Sequence, residues 1–312
     1  GKIYTIINSG SNRVHSFFFS EVSLHFYSMK IHKLASIDIG SNAIRLLLTD
    51  VYETGAEPIF KKISLHRVPL RLGDEAFTQG FFSKEKQQKF VQTMWAFKYL
   101  MDVFEPDAIM VCATSAMRES SNSEELIKKV EKKTGIRIEI ISGAKEAEII
   151  YMNHIESGLS NDQNYLYIDV GGGSTELTLF ENLLPIASQS FRIGTVRLLN
   201  KKVKQSEWKL FKKWVFQHIP KDKACVAIGS GGNISKYLAL SDRKKSGEMD
   251  YLDILALYKT LKPLSFEERL TQFKLKPDRA DVIVPAGKIY TKAMEWAGCD
   301  TIQVPLVGLS DG

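Results

Sequence analysis

Two short segments carry the residue types needed to hold a phosphate. They are Ile37-Asp38-Ile39-Gly40-Ser41-Asn42 and Ile168-Asp169-Val170-Gly171-Gly172-Gly173-Ser174-Thr175-Glu176. Each passes from an apolar run through an Asp into a glycine turn with small hydroxyl or amide residues. A turn without Cβ atoms lets backbone N–H groups close on an anion. An Asp at the end of a strand can hold a hydrated Mg2+ against that anion. After each turn comes another β-type run, at 44–48 and 177–180. Each device therefore reads as a strand–turn–strand hairpin, not the strand–turn–helix of a dinucleotide or Walker loop. Two such hairpins facing one another would grip a polyphosphate from both sides.

Other residues fit the same chemistry, each with a plainer alternative. Gly40, Ser41, Asn42, Gly171, Gly172, Gly173, Ser174 and Thr175 offer donors to phosphate oxygens, or are ordinary turn residues. Asp38 and Asp169 either satisfy local N–H groups or hold metal and phosphate. Glu176 opens a strand, where Glu is disfavoured. Arg45 sits in an apolar strand, either snorkelling at an edge or aimed at phosphate. Arg118 follows Thr114-Ser115 at a helix start, a position that favours anions. Gly231 lies in Gly229-Ser230-Gly231-Gly232-Asn233 between strand and helix, in contact with distant phosphates or simply in a tight turn. Glu146 follows Ser142-Gly143 in the first turn of a helix, and by spacing alone reads as a glutamate stabilised by the macrodipole. The six histidines show no metal-ligand spacing.

The elements that must place these residues alternate strand and helix twice. Strands are expected at 34–38, 44–52 and 57–67, with a helix over 84–104 capped by Ser83 and stopped before Pro106. A buried strand at 107–112, a short helix holding Arg118, a helix from Ser123 to Thr134, a strand at 136–141 and a helix holding Glu146 follow. The second round has a meander at 165–170, 176–180 and 185–191. Its helices fall at 206–218, 231–241, 249–261 and 278–297, with a strand at 224–228. This internal duplication implies paired α/β lobes around a cleft, with a boundary in the polar run from Ser157 to Asp162. Residues 1–28 read as a leader ahead of Met29, vector-derived or an upstream extension.

The 312 residues suffice for two cores. With 44% hydrophobic and 25% charged residues, the composition is that of a soluble globular protein. No run reaches the roughly 20 apolar residues that span a bilayer. The net charge of +6 suits an anionic substrate. Cys112, Cys225 and Cys299 are far apart and form no CxxC pair, which argues for a reducing compartment and against a zinc site.

Five blocks together resemble one family. They are Asp38-Ile39-Gly40-Ser41-Asn42 with Arg45, Ala113-Thr114-Ser115-Ala116-Met117-Arg118, Ile140-Ile141-Ser142-Gly143-Ala144-Lys145-Glu146-Ala147, Asp169 to Glu176, and Leu309-Ser310-Asp311-Gly312. From about Lys33 to its end the chain resembles the exopolyphosphatase / guanosine pentaphosphate phosphatase (Ppx/GppA) branch of the actin/Hsp70/sugar-kinase superfamily. The resemblance implies an α/β fold of two ribonuclease-H-like (actin-like ATPase) lobes, 29–158 and 159–312, each with a mixed five-stranded sheet. It implies Mg2+-dependent release of the terminal phosphate from inorganic polyphosphate, or of the 5′ γ-phosphate from guanosine pentaphosphate (pppGpp). Glu146 matches the general base, and Glu148 is its less favoured neighbour. Asp169 and Glu176 match the carboxylates flanking the second glycine loop, and the metal is expected near Asp38, Asp169 and Glu176. The expected partners are polyphosphate or guanosine penta- and tetraphosphate, with a homodimer as assembly, no nucleic acid and no membrane, in the cytoplasm. Lys145 departs from the family, which often has an acidic residue there, and no C-terminal histidine–aspartate domain follows, so the chain resembles the short two-domain form. A kinase-like ATP-binding member and a catalytically silent polyanion-binding regulator are the competing readings.

Overall fold

The computed structural model describes residues 30–53, 57–152, 163–182, 184–219, 224–243 and 246–305. The expected leader, the boundary run from Ser157 to Asp162 and the block from Leu309 to Gly312 lie outside them. The first half is built from β1 (Lys30–Ile39), β2 (Ile44–Glu53), β3 (Ile59–Val68), α1 (Leu72–Thr78), α2 (Lys84–Phe104), β4 (Ala108–Ala113), α3 (Ser115–Glu119), α4 (Ser123–Thr134), β5 (Glu139–Ile140) and α5 (Gly143–Met152). Its sheet runs β3-β2-β1-β4-β5, antiparallel across β1–β3 and parallel onward. The second half has β6 (Asn164–Val170), β7 (Thr175–Glu181), β8 (Leu184–Phe191), α6 (Thr195–Leu199), α7 (Gln205–His218), β9 (Cys225–Ser230), α8 (Gly232–Leu240), β10 (Glu248–Asp250), α9 (Tyr251–Leu261), α10 (Phe266–Gln272), α11 (Pro277–Ala280), α12 (Ile283–Ala297) and β11 (Thr301–Gln303). Its sheet runs β10-β11-β9-β6-β7-β8.

The two lobes repeat one plan: an antiparallel meander, then a parallel crossover beside the first strand. The second sheet has six strands where five were expected. The extra strand is β10, three residues that pair antiparallel with β11 and cover what would be an open edge. Central strands β1 and β6 are apolar along most of their length because helices and neighbouring strands cover them. Ile37, Ile39, Leu166 and Ile168 are fully buried.

Helix boundaries follow local chemistry. Ser83 caps α2, its side chain accepting from the Lys86 N–H, and Glu105 ends the helix in a left-handed turn before Pro106. α4 stops at Gly135, φ 73°. The strand expected at 136–141 shrinks to Glu139–Ile140, because the Ile136 N–H bonds the Thr134 hydroxyl and Arg118 takes the Ile141 carbonyl. The helix expected over 278–297 is broken into α11 and α12. Arg269 takes the Ala280 carbonyl at 2.5 Å, and the Asp281 carboxylate turns away to Arg71. The helices α1, α6 and α10, five to seven residues each, were not anticipated.

The largest core lies between the second sheet and α7, α8, α9 and α12, and the other lies under α2 and α4. α2 alone buries Phe90, Met94, Phe97 and Met101, each contributing about 1.5–3 kcal/mol. Val196 and Val282 of the second half complete the core of the first. Cys112, Cys225 and Cys299 are all buried and free. Among the described residues no helix is long and apolar enough to cross a membrane.

Polar bonds also tie the lobes together. Arg197, nearly buried, donates to Glu119 at 2.5 Å and to the Gly173 carbonyl at 2.8 Å, and its guanidinium lies 4.1 Å from the Phe77 ring centroid. Exposed Arg192 shares the same carboxylate at 2.5 Å. Removing one partner of a buried pair strands the other, whereas a surface pair counts for little. Arg197→Ala is therefore expected to lower stability by about 3 kcal/mol. Arg192→Ala should lower it by no more than about 1 kcal/mol. Urea unfolding of the two variants checks the difference.

Candidate active site

The two glycine turns are closed by the same hydrogen bond. The Gly40 N–H donates to the Ala43 carbonyl at 3.2 Å, and the Gly171 N–H to the Ser174 carbonyl at 3.0 Å. Each turn is held from behind by a short helix. The Gly73 N–H of α1 reaches the Ser41 carbonyl at 2.8 Å, and the Val196 N–H of α6 reaches the Gly172 carbonyl at 2.9 Å. The turns face each other and touch. A Cβ on Gly172 would lie 2.8 Å from that of Ser41, and one on Gly173 would lie 2.3 Å from the Phe77 ring and 2.4 Å from the Ser115 hydroxyl. No side chain fits there, so the close approach of the lobes requires glycine.

Four carboxylates gather beside this contact. Asp38, at the end of β1, is 4% exposed and faces Arg45 across the hairpin, which donates to it at 2.5 Å. Asp169 and Glu176 are direct partners in the β6–β7 register. Ser190 on β8 donates to Glu176 at 2.7 Å. Glu146 enters from the first turn of α5. That turn lies against the second sheet, since a Cβ on Gly143 would meet Ser190 at 2.8 Å and Glu176 Oε1 at 3.4 Å. Glu146 Oε2 is buried and has no hydrogen-bond partner among the described residues.

Burial and mutual repulsion set the charge state of this group. Burial, then Glu176, Asp169 and Asp38, push the Glu146 carboxyl well above its ordinary value, against the pull of Arg118. Burial and Asp169 push Glu176 up to about 7, opposed by the Ser174 and Ser190 hydroxyls and Arg118. Burial and Asp38 raise Asp169, with Ser230 and Arg45 opposing. A hard-oxygen cluster of this kind, with an unpaired buried oxygen, fits a Mg2+ ion. Among the described residues no group of three His, Cys, Asp or Glu closes a metal site by itself.

A cationic set lies next to the carboxylates. Arg279 is pushed down to about 10 by burial and by Arg67 and Arg45, and it donates to Asn233 at 2.9 Å. Arg67 pairs with Asp278 while its Nε stays buried without a hydrogen bond. Asn42 donates to the Asp278 carbonyl at 3.2 Å, and its own Oδ1 is buried and unpaired.

The sequence-derived candidates fall as follows. Asp38, Arg45, Glu146, Asp169 and Glu176 come together, and Gly231 joins them, a Cβ there falling 3.3 Å from Asp169 Oδ1. Ser41 and Ser115 meet across 2.9 Å. Arg118 is exposed, and donates to Ile141 at 2.6 Å. Thr114 reaches back to the Ile39 carbonyl, and Thr175, fully buried, donates to Ile193 at 2.5 Å. Both hydroxyls are thus engaged inside their own lobes. Arg67, Glu119, Ser190, Arg197 and Arg279 were not singled out. Arg197 carried the one available signal, a cation in the apolar run 193–199, like Arg45 in its strand.

A family model for the Ppx/GppA phosphatase family matches residues 51–312. The chain is 31% identical over 295 residues to the bifunctional 3-dehydroquinate synthase/phosphatase of Fusobacterium nucleatum, covering 86% of this chain and 44% of that relative. It therefore spans less than half the length of that protein. Exopolyphosphatase 2 of Mycobacterium tuberculosis is 25% identical over 313 residues, 91% of this chain and 98% of its own length. The solved Ppx-GppA enzyme of Aquifex aeolicus superposes with a TM-score of 0.72 at 26% identity, over 90% of this chain and 98% of that one. With its paired glycine hairpins and the carboxylates between them, the chain belongs to the Ppx/GppA phosphatase family.

Proposed function

We propose that this protein is a phosphoanhydride hydrolase that releases the terminal phosphate of inorganic polyphosphate, or the 5′ γ-phosphate of pppGpp. One observation carries the reading: a buried, unpaired carboxylate oxygen of Glu146 lies among three further carboxylates, beside two glycine turns that face each other. The exopolyphosphatase among the relatives supports polyphosphate as the substrate class.

The backbone N–H groups of the two turns and the hydroxyls of Ser41, Ser115 and Ser174 receive the oxygens of the terminal phosphoryl group. Glu146 takes a proton from the attacking water, and its raised proton affinity makes it a stronger base once ionised. Ser190 holds Glu176 and so fixes the wall against which Gly143, at the start of the turn that carries Glu146, packs. Arg45, Arg67 and Arg279 hold the phosphates behind the scissile bond. Asp38, Asp169 and Glu176 would hold a Mg2+ ion, which would neutralise charge on the phosphoryl oxygens.

Three measurements test this. Glu146→Gln keeps the shape of the side chain and removes the base, so kcat on polyphosphate should fall about 10²–10⁴-fold with KM little changed. Phosphate release at the wild-type rate would remove Glu146 from the role, and tight polyphosphate binding without release by either protein would favour a silent regulator. The second concerns pH in the metal-free protein. Glu176 sits at about 7 when folded against an ordinary 4.5. Between those values the folded protein holds a proton that the unfolded chain has released, so stability falls as pH rises through this window and the loss is complete above it. Chemical unfolding at about pH 5 and pH 8 should differ by on the order of 2 kcal/mol, and Glu176→Gln should flatten the difference. Third, Mg2+ should raise the melting temperature of the wild-type protein near pH 8 and do so much less in Asp169→Asn, as binding to the folded state requires. An equal rise in both would place the ion elsewhere.

A further inference from the structure

The glycine that opens α5 is not there for its backbone. Gly143 is not among the glycines held at positive φ, so its conformation is open to any residue. Alanine is the better helix former at the head of a ten-residue helix. The cap is supplied by Ser142, whose hydroxyl accepts from the Lys145 N–H at 3.1 Å. What requires glycine at this position is space. A Cβ at 143 would stand 2.8 Å from the Ser190 Cβ and 3.0 Å from its hydroxyl oxygen.

Ser190 is held where it is. β8 is the edge strand of its sheet, but Ser190 stands directly opposite Glu176 on β7, and the two side chains are joined at 2.7 Å. Two residues back, Ser188 and Thr178 are again opposite, their hydroxyls 2.9 Å apart. Two cross-strand side-chain bonds thus keep this stretch of β8 against β7. The Ser190 Cβ is fixed by its own backbone and cannot swing aside as the end of a long side chain would. α5 packs on both strands. A methyl group at 143 therefore has to be accommodated by the helix, whose first turn would rise by about 0.7 Å to regain an ordinary carbon–carbon contact.

Glu146 would move with that turn. It lies three residues after Gly143, so the two positions share one side of the helix. Its N–H donates to the Ser142 carbonyl at 2.9 Å, which ties it to the same turn. Its buried Oε2 has no hydrogen-bond partner among the described residues to restrain it, so the docking of the helix sets where that oxygen stands.

We propose that Gly143 and Ser190 are a positioning pair: the bare Cα of one against the short side chain of the other sets the height of α5 over β7 and β8, and with it the distance of Glu146 from the phosphate cradle. The inference rests on Glu146 as the base and names what aims it. The test is steady-state phosphate release from long-chain polyphosphate with Mg2+, together with melting temperature. It compares wild type, Gly143→Ala, Ser190→Gly, Ser190→Ala, and the two double variants that combine Gly143→Ala with each serine change. Gly143→Ala should lower kcat about 10–100-fold, leave KM within about two-fold, and melt within a few degrees of wild type, because misplacing a reacting group by a fraction of an ångström acts on the chemical step. Ser190→Gly removes both atoms that the new methyl group meets, so Gly143→Ala/Ser190→Gly should recover the rate of Ser190→Gly alone. Ser190→Ala keeps the Cβ, so Gly143→Ala/Ser190→Ala should stay slow. Two independent structural losses would multiply in both double variants. That result, a wild-type kcat in Gly143→Ala, or equal recovery in both double variants would overturn the proposal. Glu146→Gln in the same assay separates this from the base assignment. A slow Glu146→Gln beside a fast Gly143→Ala removes only the positioning pair, and a Glu146→Gln as fast as wild type removes the base itself. A wild-type protein that releases no phosphate removes the hydrolase reading on which both depend.

Discussion

Four carboxyl groups share one buried space, and most of this structure is arranged around that fact. Bringing Asp38, Glu146, Asp169 and Glu176 together costs desolvation and repulsion. The lobes offset the cost with fixed partners: Arg45 on Asp38, Ser190 on Glu176, Ser230 beside Asp169. Glu146 is left without one on its buried oxygen. A protein interior rarely tolerates an orphaned carboxylate oxygen unless the site has work for it. The same crowding that destabilises the ligand-free molecule prepares it to receive cationic charge and a proton.

The opposite sign is managed differently. Burial, then Arg67 and Arg45, lower the proton affinity of Arg279 only to about 10, so it stays cationic at neutral pH. The carboxylate partners of Arg45 and Arg67 come from both lobes, Asp38 from the first and Asp278 from the second. Arg71–Asp281 and Arg197–Glu119 cross the same divide. The interface between lobes therefore sets guanidinium–carboxylate contacts around the two glycine turns beside an apolar seam at Val196 and Val282. Such contacts can exchange one anion for another, which an apolar seam cannot.

The parts of this molecule that could be read from its sequence are those with local causes. An Asp followed by glycines between two apolar runs needs only its own backbone to make a turn, and both turns form with the same closing bond. Ser83 announces α2 and Gly135 ends α4 for equally local reasons. Glu146 was different. Its spacing fits a first-turn glutamate, and only the family resemblance singled it out. Ser190, Glu119, Arg67 and Arg279 were invisible because their partners are distant in sequence: Arg197 and Glu119 lie 78 positions apart, and Arg279 and Asn233 lie 46 apart. The break between α11 and α12 was hidden for the same reason, since Arg269 and Arg71 impose it from outside the helix. β10 is too short to carry a periodic signal.

The placement of α5 has a mechanical consequence. The helix follows the last strand of the first sheet, yet it packs against β7 and β8 of the second. Glu146 therefore rides with one lobe while the Asp38 turn rides with the other. A displacement between the lobes would shift Glu146 relative to the Asp38 turn while leaving it beside Glu176. The four carboxylates therefore share one space only while the two sheets keep their present approach.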